Sequence, residues 1–236
     1  RLLPDVSIVA AFTAAHGVVF NSTVLALAFQ SDGRIVVGGG FTRFNGADTS
    51  GLARLNGDGT HDAAFRTRGF SDTVHGVAVL PSGKIVAAGA FLNHLDAAVS
   101  RTFRDCFARL DPDGALDASL SLAVQRGAWI STALSLPGGK TLVAGGFSGV
   151  RGVLDAPGRI ARINADGTMD TTFNPGGSGA DDEVFRAALQ PDGKILITGR
   201  FRSYNGSPAF RLARLHADGA LDPSFGTDGV AVISPG

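Results

Sequence analysis

Apolar positions in this chain fall into short runs separated by glycine-rich polar turns, and one such run occurs four times. The clearest copy is Leu80-Pro81-Ser82-Gly83-Lys84-Ile85-Val86-Ala87-Ala88-Gly89-Ala90-Phe91; the others span 30–41, 136–147 and 190–201. Each reads as the end of one strand, a tight turn and a second strand that closes on Gly-x-Phe. Around this run a full unit takes shape. Residues 24–29 predict a short apolar strand A, and Ser31-Asp32-Gly33 a turn in which the glycine takes positive φ. Residues 34–39 predict strand B, whose β-branched apolar character suits burial on both faces. A variable loop, 42–51, leads to strand C at Leu52-Ala53-Arg54-Leu55; Asn56-Gly57-Asp58-Gly59 turns the chain into a short strand D over 60–65.

The same order returns three times. Strand C recurs at 107–110, 160–163 and 212–215, and the second turn at Asp113-Gly114, Asp166-Gly167 and Asp218-Gly219. The first-turn glycines Gly33, Gly83, Gly139 and Gly193 are 50, 56 and 54 residues apart. Four short antiparallel strands in a unit of about 54 residues predict an all-β fold, a β-propeller, with full blades at 24–65, 74–120, 130–173 and 184–225. One blade cannot cover both of its faces, so neighbours bury each other. Arg1-Leu2 followed by Phe12 matches Arg54-Leu55 followed by Phe65, so residues 1–12 read as a C–D pair. Residues 229–236 carry a strand-A pattern that matches 76–80. Two arrangements are open: the ends meet in a fifth, incomplete blade without strand B, or the chain is a processed piece of a longer array with more blades.

The paired motifs at 188–201 and 212–225 resemble the delta-60 repeat of bacterial surface and secreted proteins, and the resemblance covers nearly the whole chain. It implies a propeller-like module of an exported multidomain protein, extracellular or at the cell surface. It transfers no catalytic residue.

Composition narrows the functional classes. The chain has 236 residues, 44% of them hydrophobic, with 33 glycines. Lys plus Arg and Asp plus Glu both number 21, so the net charge is zero, which argues against nucleic acid or an anionic membrane as a partner. No run of about 20 apolar residues predicts membrane insertion. The single cysteine, Cys106, excludes an intrachain disulfide, and it occupies the column of Gly51, Arg159 and Arg211 rather than a catalytic position.

The second turn repeats acidic residues at fixed spacing: Asp58 and Asp62, Asp113 and Asp117, Asp166 and Asp170, Asp218 and Asp222. Alternating oxygen donors with a glycine resemble half of a calcium loop, but the downstream bidentate glutamate is missing. The competing reading is a hairpin whose Asp bonds backbone amides. No cofactor is expected, with calcium the one candidate. The strand-C arginines Arg54, Arg109, Arg162 and Arg214 would form either an anion-binding ring or structural pairs with Asp62, Asp117, Asp170 and Asp222; their recurrence favours the pairs. Phe41, Phe91, Phe147 and Phe201 read as packing residues, and Lys84, Lys140, Lys194 and Arg34 as solvated hairpin bases.

Blade geometry places the B–C and D–A connections at one end of the molecule, and these vary in length. Binding residues collect on such loops. The non-repeating candidates there are His94, Arg101, Arg104, Asp105, Arg126, Trp129 and Tyr204, while the acidic run 181–183 reads as a solvated loop. The sequence thus favours a non-enzymatic binding or adhesion module with a protein or glycan partner and neighbouring domains in a larger chain. The alternatives are a structural spacer or assembly unit of a surface protein or fibre, and, by fold analogy alone, a calcium-dependent lactonase or lyase.

Overall fold

The computed structural model describes residues 20–67, 69–95, 101–120, 124, 128–151 and 157–226, without the side chains of 95 and 101–103. The expected end units, 1–12 and 229–236, lie outside the described residues.

The described residues form four blades, each built on a three-stranded antiparallel sheet in the order A–B–C. The strands are β1 (Val24–Phe29), β2 (Ile35–Gly39) and β3 (Leu52–Leu55); β4 (Val74–Val79), β5 (Ile85–Gly89) and β6 (Phe107–Leu110); β7 (Ile130–Ser135), β8 (Thr141–Gly145) and β9 (Ile160–Ile163); and β10 (Val184–Leu189), β11 (Ile195–Gly199) and β12 (Leu212–Leu215). The central strands β2, β5 and β8 are buried along their whole length, which explains their uninterrupted apolar runs. The innermost strands β1, β4, β7 and β10 pack side by side in chain order. The fold is a β-propeller arrangement in which no described segment is an α-helix.

Strand D is shorter than its sequence pattern predicts. It is reduced to one bridge per blade: Leu55 to His61, Leu110 to Leu116, Ile163 to Met169 and Leu215 to Leu221. The cause is the aspartate that follows. The Asp62 amide still donates to the Arg54 carbonyl at 2.9 Å, but its Oδ1 accepts the Ala64 amide at 3.0 Å and its carbonyl accepts that of Phe65 at 3.1 Å. The chain turns away from the sheet.

The B–C connections are also more ordered than loops. In blades 1, 2 and 4 they carry small antiparallel pairs, 43–44 with 47–48, 93–95 with 101–103 and 203–204 with 207–208, and the segment before each strand A pairs with the B–C connection of its blade. Phe20 bridges Phe44, residues 69–70 pair with 94–95, Val124 bridges Val150 and Ala180 bridges Tyr204. Strands A and B thus continue past a kink into a second, smaller sheet. A glycine at the kink is obligatory. A Cβ on Gly39, Gly89, Gly145 or Gly199 would lie 2.0–2.3 Å from the carbonyl oxygen of Thr23, Thr73, Trp129 or Glu183. Those carbonyls accept the amides of Gly40, Ala90, Gly146 and Arg200 at 2.8–3.0 Å.

The core lies at the junctions between blades. One buried cluster joins Val36 and Leu52 to Phe70, Val77 and Phe91; a second joins Val86 and Phe107 to Val143 and Phe147; a third joins Leu142 and Ile160 to Ile197 and Phe201. Phe41 is buried within the first blade and meets Phe20 at 4.4 Å between ring centroids.

At the end bearing the A–B and C–D turns, a polar network repeats. Arg54, Arg109, Arg162 and Arg214 donate through Nε to Oδ2 of Asp62, Asp117, Asp170 and Asp222 at 2.7–2.8 Å. Three of these arginines also reach forward to the next blade. Arg54 donates to the Pro112 carbonyl, Arg109 to that of Ala165 at 2.7 Å and Arg162 to that of Ala217. Arg54, Arg162 and Arg214 lie 4.5–4.8 Å over the rings of Phe65, Phe173 and Phe225. Main-chain clips accompany them, with the Arg66 amide donating to the Asp113 carbonyl and that of Asn174 to Asp218, at 2.8 and 2.7 Å.

The lysines after the first turn belong to this network, contrary to the solvated role expected for them. Lys84, Lys140 and Lys194 approach Asp117, Asp170 and Asp222 at 2.7, 2.6 and 2.9 Å, and Arg34 approaches Asp62 at 3.4 Å. Burial opposes ionisation of Asp117 and Asp170, but hydrogen bonds from lysine, hydroxyl and arginine donors outweigh it and hold both carboxyls far below the usual range. Asp222 is held down likewise, by Ser224 and Lys194 first.

Arg109→Met removes one of the two cations paired with buried Asp117 and is expected to cost about 3 kcal/mol in urea denaturation. Arg66→Ala removes an exposed pair and is expected to cost at most about 1 kcal/mol. The depressed carboxyls also set the acid limit. Folded Asp117, Asp170 and Asp222 bind fewer protons than the unfolded chain, so their stabilisation is complete above the unfolded value of about 3.9 and is lost as pH falls below it. The urea midpoint is expected to hold near neutral pH and to fall steeply once pH drops below about 4.

Candidate functional site

The opposite end of the molecule carries the small hairpins and the segments that enter each strand A. Entry into strand A is set by one repeat column, Thr23, Thr73, Trp129 and Glu183, whose carbonyls hold the kink. The backbone of this column is fixed by the fold, while its side chains differ from blade to blade. In blades 3 and 4 it places an indole beside a carboxylate. Trp129 Nε1 donates to Glu183 Oε1 at 2.7 Å across the blade junction. The indole lies over Gly146, where a Cβ would come within 2.5 Å of the ring, and it remains 36% exposed.

Charged residues adjoin this pair along the backbone, Asp182 before Glu183 and Arg200 through its amide, which donates to the Glu183 carbonyl at 2.8 Å. Asp182, Arg200 and Arg202 are exposed; Asp182 Oδ1 accepts the Glu183 amide at 2.7 Å, and Asp181 Oδ1 accepts the amides of Arg202 and Ser203 at 2.8 and 3.0 Å. The acidic run 181–183, expected as a solvated loop, therefore shapes the mouth of blade 4 and anchors the tryptophan. The same junction holds a cleft of about 630 Å³, lined by Ser148, Gly158, Arg159, Gly177, Ser178 and Ala180. Arg159 adopts φ of 68°, in the column where Gly51, Cys106 and Arg211 are also left-handed.

The other sequence candidates divide. Tyr204 is fully buried and donates its hydroxyl to the Gly219 carbonyl at 2.8 Å; burial pushes its phenol pKa up. His94 is buried beside Thr67 Oγ1, 2.9 Å away, with its ring on edge to Phe70. Both side chains serve packing, not outward contact, because the B–C connections fold into hairpins that turn one face inward. Asp105 is buried with Arg151 Nη1 3.2 Å from its Oδ2, and Arg104 is half-buried, with burial lowering its pKa. The Arg101 side chain and Arg126 lie outside the described residues. Burial also pushes the Cys106 thiol up to about 11, far from thiolate reactivity at neutral pH.

The repeated acidic turns do not present an open oxygen cage. Asp58, Asp113, Asp166 and Asp218 turn Oδ1 onto the amide two residues ahead, at 2.9–3.0 Å. Asp62, Asp117, Asp170 and Asp222 are engaged by the cation network. Among the described residues no group of three or more His, Cys, Asp or Glu converges to hold a metal ion.

The sequence matches the β-propeller family described as a domain of unknown function, DUF5122, over residues 30–65, 80–120, 136–173 and 190–225. No curated protein matches it. Among solved structures, the extracellular domain of a one component system protein from B. thetaiotaomicron is 12% identical with a TM-score of 0.50 over 86% of this chain and 22% of its own. The extracellular domain of a hybrid two component system protein from the same organism is 15% identical, with a TM-score of 0.46 over 88% of this chain and 25% of its own. A streptogramin B lyase is 12% identical, with a TM-score of 0.45 over 86% of this chain and 55% of its own. The chain therefore spans about a fifth to a half of the length of these structures.

Tyr204→Phe tests the packing role. It leaves the Gly219 carbonyl unpaired in a buried site and is expected to lower stability by about 1 kcal/mol in urea denaturation, with no change in exposed-surface chemistry.

Proposed function

The chain belongs to the DUF5122 β-propeller family, and we propose that it is a non-enzymatic binding module that takes a glycan at the junction of blades 3 and 4. One observation carries this reading: Trp129 stays partly exposed while Glu183 fixes its indole across the junction. A pre-oriented indole suits the apolar C–H face of a pyranose. The second Glu183 oxygen, Asp182 and Arg200 supply acceptors and donors for its hydroxyls, and the neighbouring cleft gives room for a further residue of the sugar chain. Such a site fits a module at the cell surface or outside the cell, within a larger chain. A protein partner at the same place would use the same indole as an anchor.

A calcium-dependent enzyme is the weaker reading. It requires carboxylates free to converge on a metal, whereas the repeated aspartates are engaged by arginine, lysine and backbone amides.

The full chain screened on a glycan array, with calorimetry on the hits, tests the proposal. Trp129→Ala is expected to weaken binding at least about tenfold. Glu183→Gln is expected to weaken it less, since an amide still accepts from the indole, and Ser31→Ala at the opposite end to leave it unchanged. Absence of glycan binding, or binding that survives Trp129→Ala, overturns the reading.

A further inference from the structure

Four positions that precede strand C share one backbone conformation and differ in side chain. Gly51, Cys106, Arg159 and Arg211 all take left-handed φ, between 63° and 72°. Gly51 holds that conformation without strain, whereas a residue with a Cβ holds it at a cost. Arg159 is the member of this column at the junction of blades 3 and 4, and it lines the cleft there. Its backbone is fixed on both sides of Gly146. The Arg159 amide donates to the Phe147 carbonyl at 2.8 Å, and its carbonyl accepts the Gly145 amide at 2.9 Å. The Trp129 indole lies over that same Gly146. Arginine and tryptophan thus flank one glycine.

The fold makes no use of this guanidinium. Arg54, Arg109, Arg162 and Arg214 each hold a carboxylate in the seam. Arg159 is half-buried, and among the described residues no carboxylate, carbonyl or hydroxyl receives its side chain. The other residues that line the cleft are serine, glycine and alanine, none of them acidic. The carboxylates of the nearby run are already engaged: Asp181 and Asp182 each turn one oxygen onto backbone amides, and Glu183 receives the indole. A strained, half-buried cation in a cleft of small residues is suited to holding an anion from outside the fold.

We propose that the site selects acidic glycans. Trp129 carries the face of one pyranose, and Arg159 pairs with the carboxylate or sulfate group of the adjoining sugar in the cleft. The planar guanidinium fork meets either group through two parallel hydrogen bonds. The left-handed arginine then has a reason: glycine would relax the backbone and lose the anion. The inference rests on the glycan reading and adds to it the class of sugar.

The full chain on an array of uronate-bearing, sulfated and neutral glycans, followed by calorimetry, tests it. Each acidic hit is compared with its carboxyl-reduced or desulfated counterpart, which is expected to bind at least about tenfold more weakly. The counterpart that shows the loss tells a carboxylate from a sulfate. Arg159→Gly is expected to abolish that difference and leave affinity for the neutral counterpart unchanged. Because glycine relieves the left-handed backbone, the same variant is expected to hold or raise the urea midpoint. Arg159→Lys keeps the charge and is expected to retain part of the preference. Arg43→Gln, which removes an exposed cation from blade 1, is expected to leave binding unchanged. Trp129-dependent binding without a preference for acidic glycans, or a preference that survives Arg159→Gly, overturns this inference and leaves the glycan reading standing. An array with no binding overturns both.

Discussion

One carboxylate per blade organises this molecule. Asp62, Asp117, Asp170 and Asp222 each use one oxygen to turn the chain out of strand D and the other to receive an arginine from strand C, with a second cation from strand B beside it. The aspartate orients the arginine, and the oriented arginine reaches the next blade. Burying such charges has a desolvation cost, and it is balanced only when the remaining donors and lone pairs are also used. Here they are: Ser119, Thr172 and Ser224 hydroxyls take Oδ1, and forward carbonyls take the free guanidinium nitrogens in blades 1 to 3. The result is a rigid polar seam along one end of an otherwise apolar stack.

That seam separates two kinds of surface. At the turn end, every blade has the same chemistry because every blade needs it to hold its neighbour. At the hairpin end, the shared contacts are backbone hydrogen bonds, as at the carbonyls of Thr23, Thr73, Trp129 and Glu183, and one side-chain cap in blades 1, 2 and 4, where Asn21, Ser71 and Asp181 accept two successive amides of the B–C connection. Apart from that cap, side chains there are free to diverge without loosening the stack. The Trp129–Glu183 contact shows the consequence: two adjacent members of one column meet across a junction in a combination found nowhere else in the chain.

Much of this was legible in the sequence because the repeat superposes its own copies. The turn positions, strands A to C, the buried Phe41 column and the Arg–Asp spacing all follow from residues that recur in register. What recurrence cannot show is how the unique stretches fold. His94 looked like a loop residue because its neighbourhood matches no other unit, yet main-chain pairing carries it inward against Phe70. Tyr204 was more readable than it seemed: Tyr204-Asn205-Gly206 lies in the column of Phe44-Asn45-Gly46, and a buried Phe44 announces a buried Tyr204. The lysine pairs were missed because Lys84 and Asp117 are far apart in sequence and meet only when the A–B and C–D turns fold to the same end. The pairing of Glu183 with Trp129 was missed because the two lie in different blades.

The forward arginine contacts span 58, 56 and 55 residues, the length of one unit. Each unit therefore carries both the hand that grasps and the hold that is grasped. Copying one unit in tandem, or deleting one, brings an arginine and a turn carbonyl back into register without a new residue type being needed. The gene for such a chain can lengthen or shorten by whole units while every remaining joint stays familiar, so diversity is free to accumulate at the hairpin end while the seam is merely copied.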